Sequence, residues 1–202
     1  MMIKKGHIIS IVAMLIFLGV GATWVISKAT QSAQVLPGAI KLVPSFSMTS
    51  HNGETFNRDS LLNKITVLDF IFTSCPGPCP IMSNNMKTLY NQYKLHPDLQ
   101  FISITVDPEY DSLDILKLYA DANGVKDDRW KFLRSDIGKV KKLSTDGFLF
   151  MSDNLPAGHS VKFVLIDENA KIRQYYNGTD EASISILRNH INLFLKKLRN
   201  SV

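Results

Sequence analysis

Two cysteines are the most reactive side chains in this 202-residue chain, and they stand together in Thr73-Ser74-Cys75-Pro76-Gly77-Pro78-Cys79-Pro80. An apolar run ends just before them and a helical pattern follows them. Amides at a helix N-terminus favour an anion, so this position predicts a lowered thiol pKa. A thiolate there is both a nucleophile for disulfide exchange and a soft ligand for Cu(I). A spacing of four would set both sulfurs on one helical face. Pro78 and Pro80, however, place the start of regular helix near Pro80 and leave Cys75 in a stiffened loop. Either geometry lets the sulfurs converge on one metal or close a small disulfide. A purely structural disulfide explains the pair poorly, because so short a loop contributes little closure entropy.

Asp69 interrupts an apolar strand pattern six positions before Cys75. A buried carboxylate without a partner costs roughly several kcal/mol or stays protonated, so its presence in such a run points to proton chemistry. The alternative is a strand near an edge, with the carboxylate capping a neighbouring amide. Among the five histidines, His159 has the most informative context, since Leu155-Pro156-Ala157-Gly158 is a loop that delivers it to the start of a strand. His7, His51, His96 and His190 read as surface or satisfied core residues. Met82 and Met86 read as helix core rather than as soft metal ligands.

The elements that must position these groups follow from periodicity. Phe46–Thr49 and Thr55-Phe56 flank Asn52-Gly53, a hairpin signal. Residues 65–72 are almost wholly apolar, as in a central strand buried on both faces, and 99–106 repeat the pattern. Ile81, Met82, Met86, Leu89, Tyr90 and Tyr93 recur at helical spacing over 80–95. A helix is predicted over 111–123, with Asp111 as its N-cap, then a short strand at 130–133 and a short helix at 136–144. Residues 160–166 and 171–176 form an antiparallel pair turning at Glu168-Asn169, and 180–198 a terminal amphipathic helix. This order is an α/β one and fits a thioredoxin-like layer fold.

Composition narrows the function. Hydrophobic residues make up 45% of the chain and charged residues 20%, which excludes a disordered or fibrous protein. The net charge of +5 is concentrated at the N-terminus, where Lys4, Lys5 and Lys28 face no acid. A near-neutral remainder without a Lys/Arg run lacks the footprint of a nucleic-acid binder. From Gly6 to Ser27 no charged residue occurs. Nineteen residues of it, as a helix, would span ~29 Å, enough for a bilayer core. Residues 1–27 therefore read as a cytoplasmic tip and transmembrane anchor, 28–43 as linker, and 44–202 as one extracytoplasmic domain. Cleavage after the small residues near Ala33 is the alternative. Two cysteines in an oxidising compartment are a bridge or a reactive pair.

At the cysteines the chain resembles the SCO/SenC family of membrane-anchored, thioredoxin-like copper proteins. The resemblance rests on Phe72-Thr73-Ser74-Cys75-Pro76-Gly77-Pro78-Cys79-Pro80, on Val106-Asp107-Pro108-Glu109-Tyr110-Asp111, and on His159 followed by residues 160–167, in the family's order. It covers about residues 44–198. Gly77 and Pro78 depart from the acidic and branched apolar residues common there, making the loop less acidic and stiffer. The resemblance implies that Cys75, Cys79 and His159 bind copper, two thiolates and an imidazole suiting Cu(I) and, with weak extra ligands, Cu(II). Zinc is the competing metal. It further implies a membrane-tethered metallochaperone at the cytoplasmic membrane, domain outward, passing copper to an oxidase subunit or another copper or thiol partner. The rival is a thiol–disulfide oxidoreductase using Cys75 and Cys79, with Asp69 as proton acceptor by its resemblance to the buried acid of thioredoxins. Peroxide reduction of the peroxiredoxin kind is disfavoured, because Phe72 stands where a Thr would be needed. A passive interaction domain would leave the cysteine pair unexplained.

Overall fold

The apolar runs at 65–72 and 99–106 become neighbouring strands, Ile65–Ile71 (β4) and Leu99–Thr105 (β5), in which every residue is buried. The computed structural model describes residues 14–24, 35–150, 155, 156 and 158–200. It divides into two units, Met1–Leu36 and Pro37–Val202. In the first, residues 14–24 are helical, with Leu15, Phe17, Val20 and Trp24 exposed. Among the described residues no helix is long and apolar enough to cross a membrane. The rest of the charge-free stretch from Gly6 to Ser27 lies outside the described residues, as does His7.

The second unit is built on an eight-stranded mixed sheet. The other strands are Lys41–Leu42 (β1), Ser47–Ser50 (β2), Thr55–Asn57 (β3), Trp130–Arg134 (β6), Lys162–Ile166 (β7) and Lys171–Asn177 (β8). Their spatial order is β1-β8-β7-β4-β5-β6-β2-β3. Strands β4, β5 and β6 run parallel, and β7 joins β4 antiparallel. The connections carry helices Cys79–Gln92 (α1), Leu113–Ala122 (α2) and Ile137–Lys142 (α3), with Glu181–Arg199 (α4) closing the chain. A π-helical turn, Leu143–Gly147, extends α3.

Local chemistry accounts for most boundaries. The β2–β3 turn uses Gly53 at φ 81°, a left-handed conformation that glycine adopts at no steric cost. Asp136 and Asp180 accept amide hydrogens at the starts of α3 and α4. Tyr93, just after α1, donates its hydroxyl to the Arg188 carbonyl or Asn192 Oδ1 of α4, and the Ser83 and Tyr119 hydroxyls join α1 to α2 at 2.8 Å. Residues 37–43, read from the sequence as linker, join this unit: β1 pairs with β8, and the Val43 amide donates to the Ala170 carbonyl. Met82 and Met86 are fully buried in α1, as their spacing predicts.

Candidate metal centre

Sheet order brings the site together. Antiparallel pairing of β7 with β4, Leu68 opposite Val164, sets the start of β7 beside the end of β4. The loop ahead of β7 therefore meets the loop after β4, and His159 meets the cysteines. One donor atom each from Cys75, Cys79 and His159 lies within 4.8 Å of the others. His159 Nε2 is 3.2 Å from Cys79 Sγ. The other ring nitrogen, Nδ1, lies 3.1 Å from the Ser160 carbonyl oxygen, which can only accept. Nδ1 therefore carries the proton and Nε2 turns its lone pair toward the sulfurs, the tautomer a metal ligand needs. Burial lowers the His159 pKa, which favours the neutral ligating form, and the Phe72 ring packs edge-on against the imidazole.

The cysteines differ. Cys75 is half-buried, whereas Cys79 is 1% exposed at the first position of α1, one residue earlier than the prolines suggest. Pro78 caps the helix without a side-chain hydrogen bond, and Pro80 fits the first turn because no amide is needed there. Burial pushes the Cys79 thiol up to about 12, with Cys75 adding to the rise. At Cys79 the sequence expectation of a lowered thiol pKa is thus overturned. The helix N-terminus contributes typically ~0.3–1 kcal/mol, too little to offset desolvation of a thiolate. A metal or a proton acceptor must draw that proton away.

Asp69 lies in β4 at the centre of the sheet, 1% exposed, so the edge-strand alternative fails. Neither carboxylate oxygen makes a hydrogen bond of normal geometry. Burial raises its pKa to about 7, an effect that the Ser103 hydroxyl on β5 partly opposes. It can hold or release a proton near neutrality.

Asp111 needs a correction. Ser112, not Asp111, caps α2, its hydroxyl accepting from the Ile115 amide. Asp111 is fully buried and accepts from the Thr73 amide at 3.2 Å and from the hydroxyls of Thr73 and Thr105. Because β5 runs parallel to β4, the segment after β5 lies beside the cysteine loop, and Asp111 fixes the start of that loop. Sequence reasoning missed this role, although the adjacent Ser112 was an equally good cap and left Asp111 free. The other described histidines are structural. His51 Nδ1 accepts from the Phe132 amide, His96 packs on Tyr93, and His190 Nδ1 lies 2.6 Å from the Tyr176 hydroxyl.

A cleft of about 290 Å³ opens on the cysteines, lined by Thr73, Pro80, Ser83, Asn84, Lys87 and Tyr119 among others. A larger cleft of about 420 Å³, with Lys41, Phe46 and Leu143 in its walls, holds none of the three donors.

Two thiols and an imidazole converging at the start of a helix, on a mixed α/β sheet, define a thioredoxin-like protein equipped to bind a soft metal or exchange a disulfide. The SCO1/SenC family model matches residues 35–192, and the chain belongs to that family. It is 31% identical over 193 residues to the SCO2-like protein RT0576 of Rickettsia typhi, covering 84% of this chain and 89% of that one. Its fold is similar to that of BsSco, a member of the Sco family of cytochrome c oxidase assembly proteins in which a disulfide switch has been identified. There the TM-score is 0.70 and the identity 24%, with 79% of this chain and 96% of that one covered. It is also similar to yeast Sco1 with copper bound, at TM-score 0.61 and 21% identity, covering 76% of this chain and 90% of that one.

Proposed function

We propose that this protein is a copper carrier that holds one ion on Cys75, Cys79 and His159 and delivers it during assembly of a respiratory oxidase. The observation that carries this reading is the convergence of three soft or borderline donors within 4.8 Å, one of them an imidazole whose tautomer a carbonyl fixes. Copper is the cargo. Two sulfurs suit Cu(I), and the nitrogen adds the donor that Cu(II) prefers. Cys75, half-buried, is the more accessible donor at which a partner can approach, while Cys79 and His159 are sheltered. Copper-bound yeast Sco1 and the oxidase-assembly protein BsSco support the cargo and the destination by likeness of fold.

In this reading the charge-free stretch from Gly6 to Ser27 anchors the chain in the cytoplasmic membrane, with Lys4 and Lys5 inside and residues 37–202 outside. Anaerobic copper titration of the full chain, with thiols quantified, tests the proposal. One copper per chain is expected. His159→Ala should weaken Cu(II) far more than Cu(I), because two thiolates still hold Cu(I) linearly. Equal loss of both oxidation states, or loss of neither, would refute the ligand set. A second reading, disulfide exchange on partner proteins, is favoured by Asp69, whose unpaired buried carboxyl can take up a proton near pH 7.

A further inference from the structure

Lys87 of α1 is half-buried in the cleft that the cysteine pair also lines, and no acid among the described residues lies within ion-pair distance of it. It stands in the wall of the 290 Å³ cleft that also exposes Cys75. The remaining wall is neutral, from Thr73, Pro80, Ser83, Asn84, Tyr119 and Asn123, and among the described residues no carboxylate lines it. Hydrogen bonds hold that wall in shape: Thr73 to Asp111, Ser83 to Tyr119, and the Asn123 side-chain amide to the Tyr119 carbonyl at 2.9 Å. The volume is at the small end for ligand pockets, suited to a ligand of a few residues rather than to a folded partner. A cation with no counter-charge among the described residues, sharing a cleft with an accessible thiol, favours an anion that carries sulfur.

We propose that this cleft seats a low-molecular-weight thiol or disulfide bearing a carboxylate, with its sulfur on Cys75 and its carboxylate on Lys87. The inference rests on the reading of Cys75 as the exposed member of a reactive pair. The Cys75 thiolate attacks one sulfur of a disulfide RSSR; the Cys75–SR bond forms, the S–S bond breaks and RS⁻ leaves. Cys79 then gives its proton to the departed RS⁻ and attacks Cys75 Sγ, which closes the Cys75–Cys79 disulfide and expels the second RS⁻. One RSSR is reduced to two RSH, two protein thiols are oxidised, and their two protons end on the released thiols. In reverse, two RSH restore the dithiol that the proposed copper site requires.

The test uses the full chain in detergent, reduced and carrying Cys79→Ser so that the adduct on Cys75 accumulates. Oxidised glutathione, whose halves carry carboxylates, is compared with cystamine, whose halves are cationic, by intact-mass kinetics at one pH. Glutathione disulfide should react faster. Lys87→Gln should cut the glutathione-to-cystamine rate ratio about fivefold, the scale of one partly exposed ion pair. Lys64→Gln, an exposed change just before the opposite end of β4, should leave the ratio unchanged. A Lys87→Gln effect no larger than that of Lys64→Gln overturns the proposal, as does absence of any Cys75 adduct. If Lys87→Gln does not fold, salt dependence decides. A glutathione rate that falls severalfold between 0.05 and 0.5 M salt while the cystamine rate does not supports the cleft; equal responses overturn it. Copper titration of the same reduced chain without Cys79→Ser separates the two ideas: copper binding without thiol selectivity sinks only this proposal, and absence of both sinks the site reading as well.

Discussion

Replacing Asp69 by Asn should stabilise the fold at pH 8 and leave it unchanged, or less stable by up to about 2 kcal/mol, at pH 4. Asp69 is 1% exposed, neither oxygen has a normal hydrogen bond, and burial raises the carboxyl from its ordinary 3.8 to about 7. Between those pH values the folded chain retains a proton that the unfolded chain has released. The unfolded state then binds fewer protons, so this group makes stability fall as pH rises. Below about pH 4 both states are protonated and no penalty exists; above about pH 7 both are ionised and the penalty is complete. At about 1.4 kcal/mol per pH unit, ionising Asp69 inside the fold costs about 4 kcal/mol. Asn removes that cost but buries an amide with few partners, so the net gain at pH 8 should be about 2–4 kcal/mol. Urea unfolding of wild type and variant at pH 4, 6 and 8, followed by far-ultraviolet circular dichroism, measures it. With m near 2 kcal/mol/M, the midpoint difference at pH 8 should be about 1–2 M. Other titrating groups cancel in the comparison. A difference that does not change from pH 4 to pH 8, or a variant less stable at pH 8, would mean that burial does not hold a proton on Asp69.

Other outcomes follow from the same contacts. Asp111→Ala leaves the Thr73 amide and the Thr73 and Thr105 hydroxyls without their acceptor. It should cost about 2–4 kcal/mol in urea unfolding and weaken copper about tenfold, because the loop that carries Cys75 loses its tie. Met82→Ala should cost about 2–5 kcal/mol through a core cavity yet leave copper stoichiometry at that of the wild type; loss of copper would make Met82 a ligand. Cys79→Ser should trap a partner through the more accessible Cys75, as read on non-reducing gels, whereas Cys75→Ser should trap little, since Cys79 is buried. The expressed chain should fractionate with membranes at full length; a soluble product beginning near Ala33 would show cleavage instead.

Local features were legible in the chain alone. Two uninterrupted apolar runs became the buried strands β4 and β5, Asn52-Gly53 became a turn, and helical spacing buried Met82, Met86, Leu187 and Ile191. Such features are set by the chain's own period and turn chemistry, so they are legible without partners. The two cysteines were equally plain, because four residues cannot separate their sulfurs far. His159 was different. It is 80 residues from Cys79, and only the insertion of β7 antiparallel beside β4 carries it to 3.2 Å from the sulfur. The protonation chemistry was also decided by the tertiary structure. The start of a helix argues for an acidic thiol at Cys79, yet enclosure by the sheet and its neighbours removes water and raises that pKa instead. Asp111 looked like a cap for the helix that follows it and became a strut for the loop beside it, once parallel pairing of β4 and β5 set Thr73 within reach. Residues 37–43 read as linker because β1 is too short to show a period, and its partner β8 lies far away in sequence, Lys41 pairing with Ile172. Desolvation and long-range pairing depend on which segments become neighbours, and that is a property of the assembled sheet.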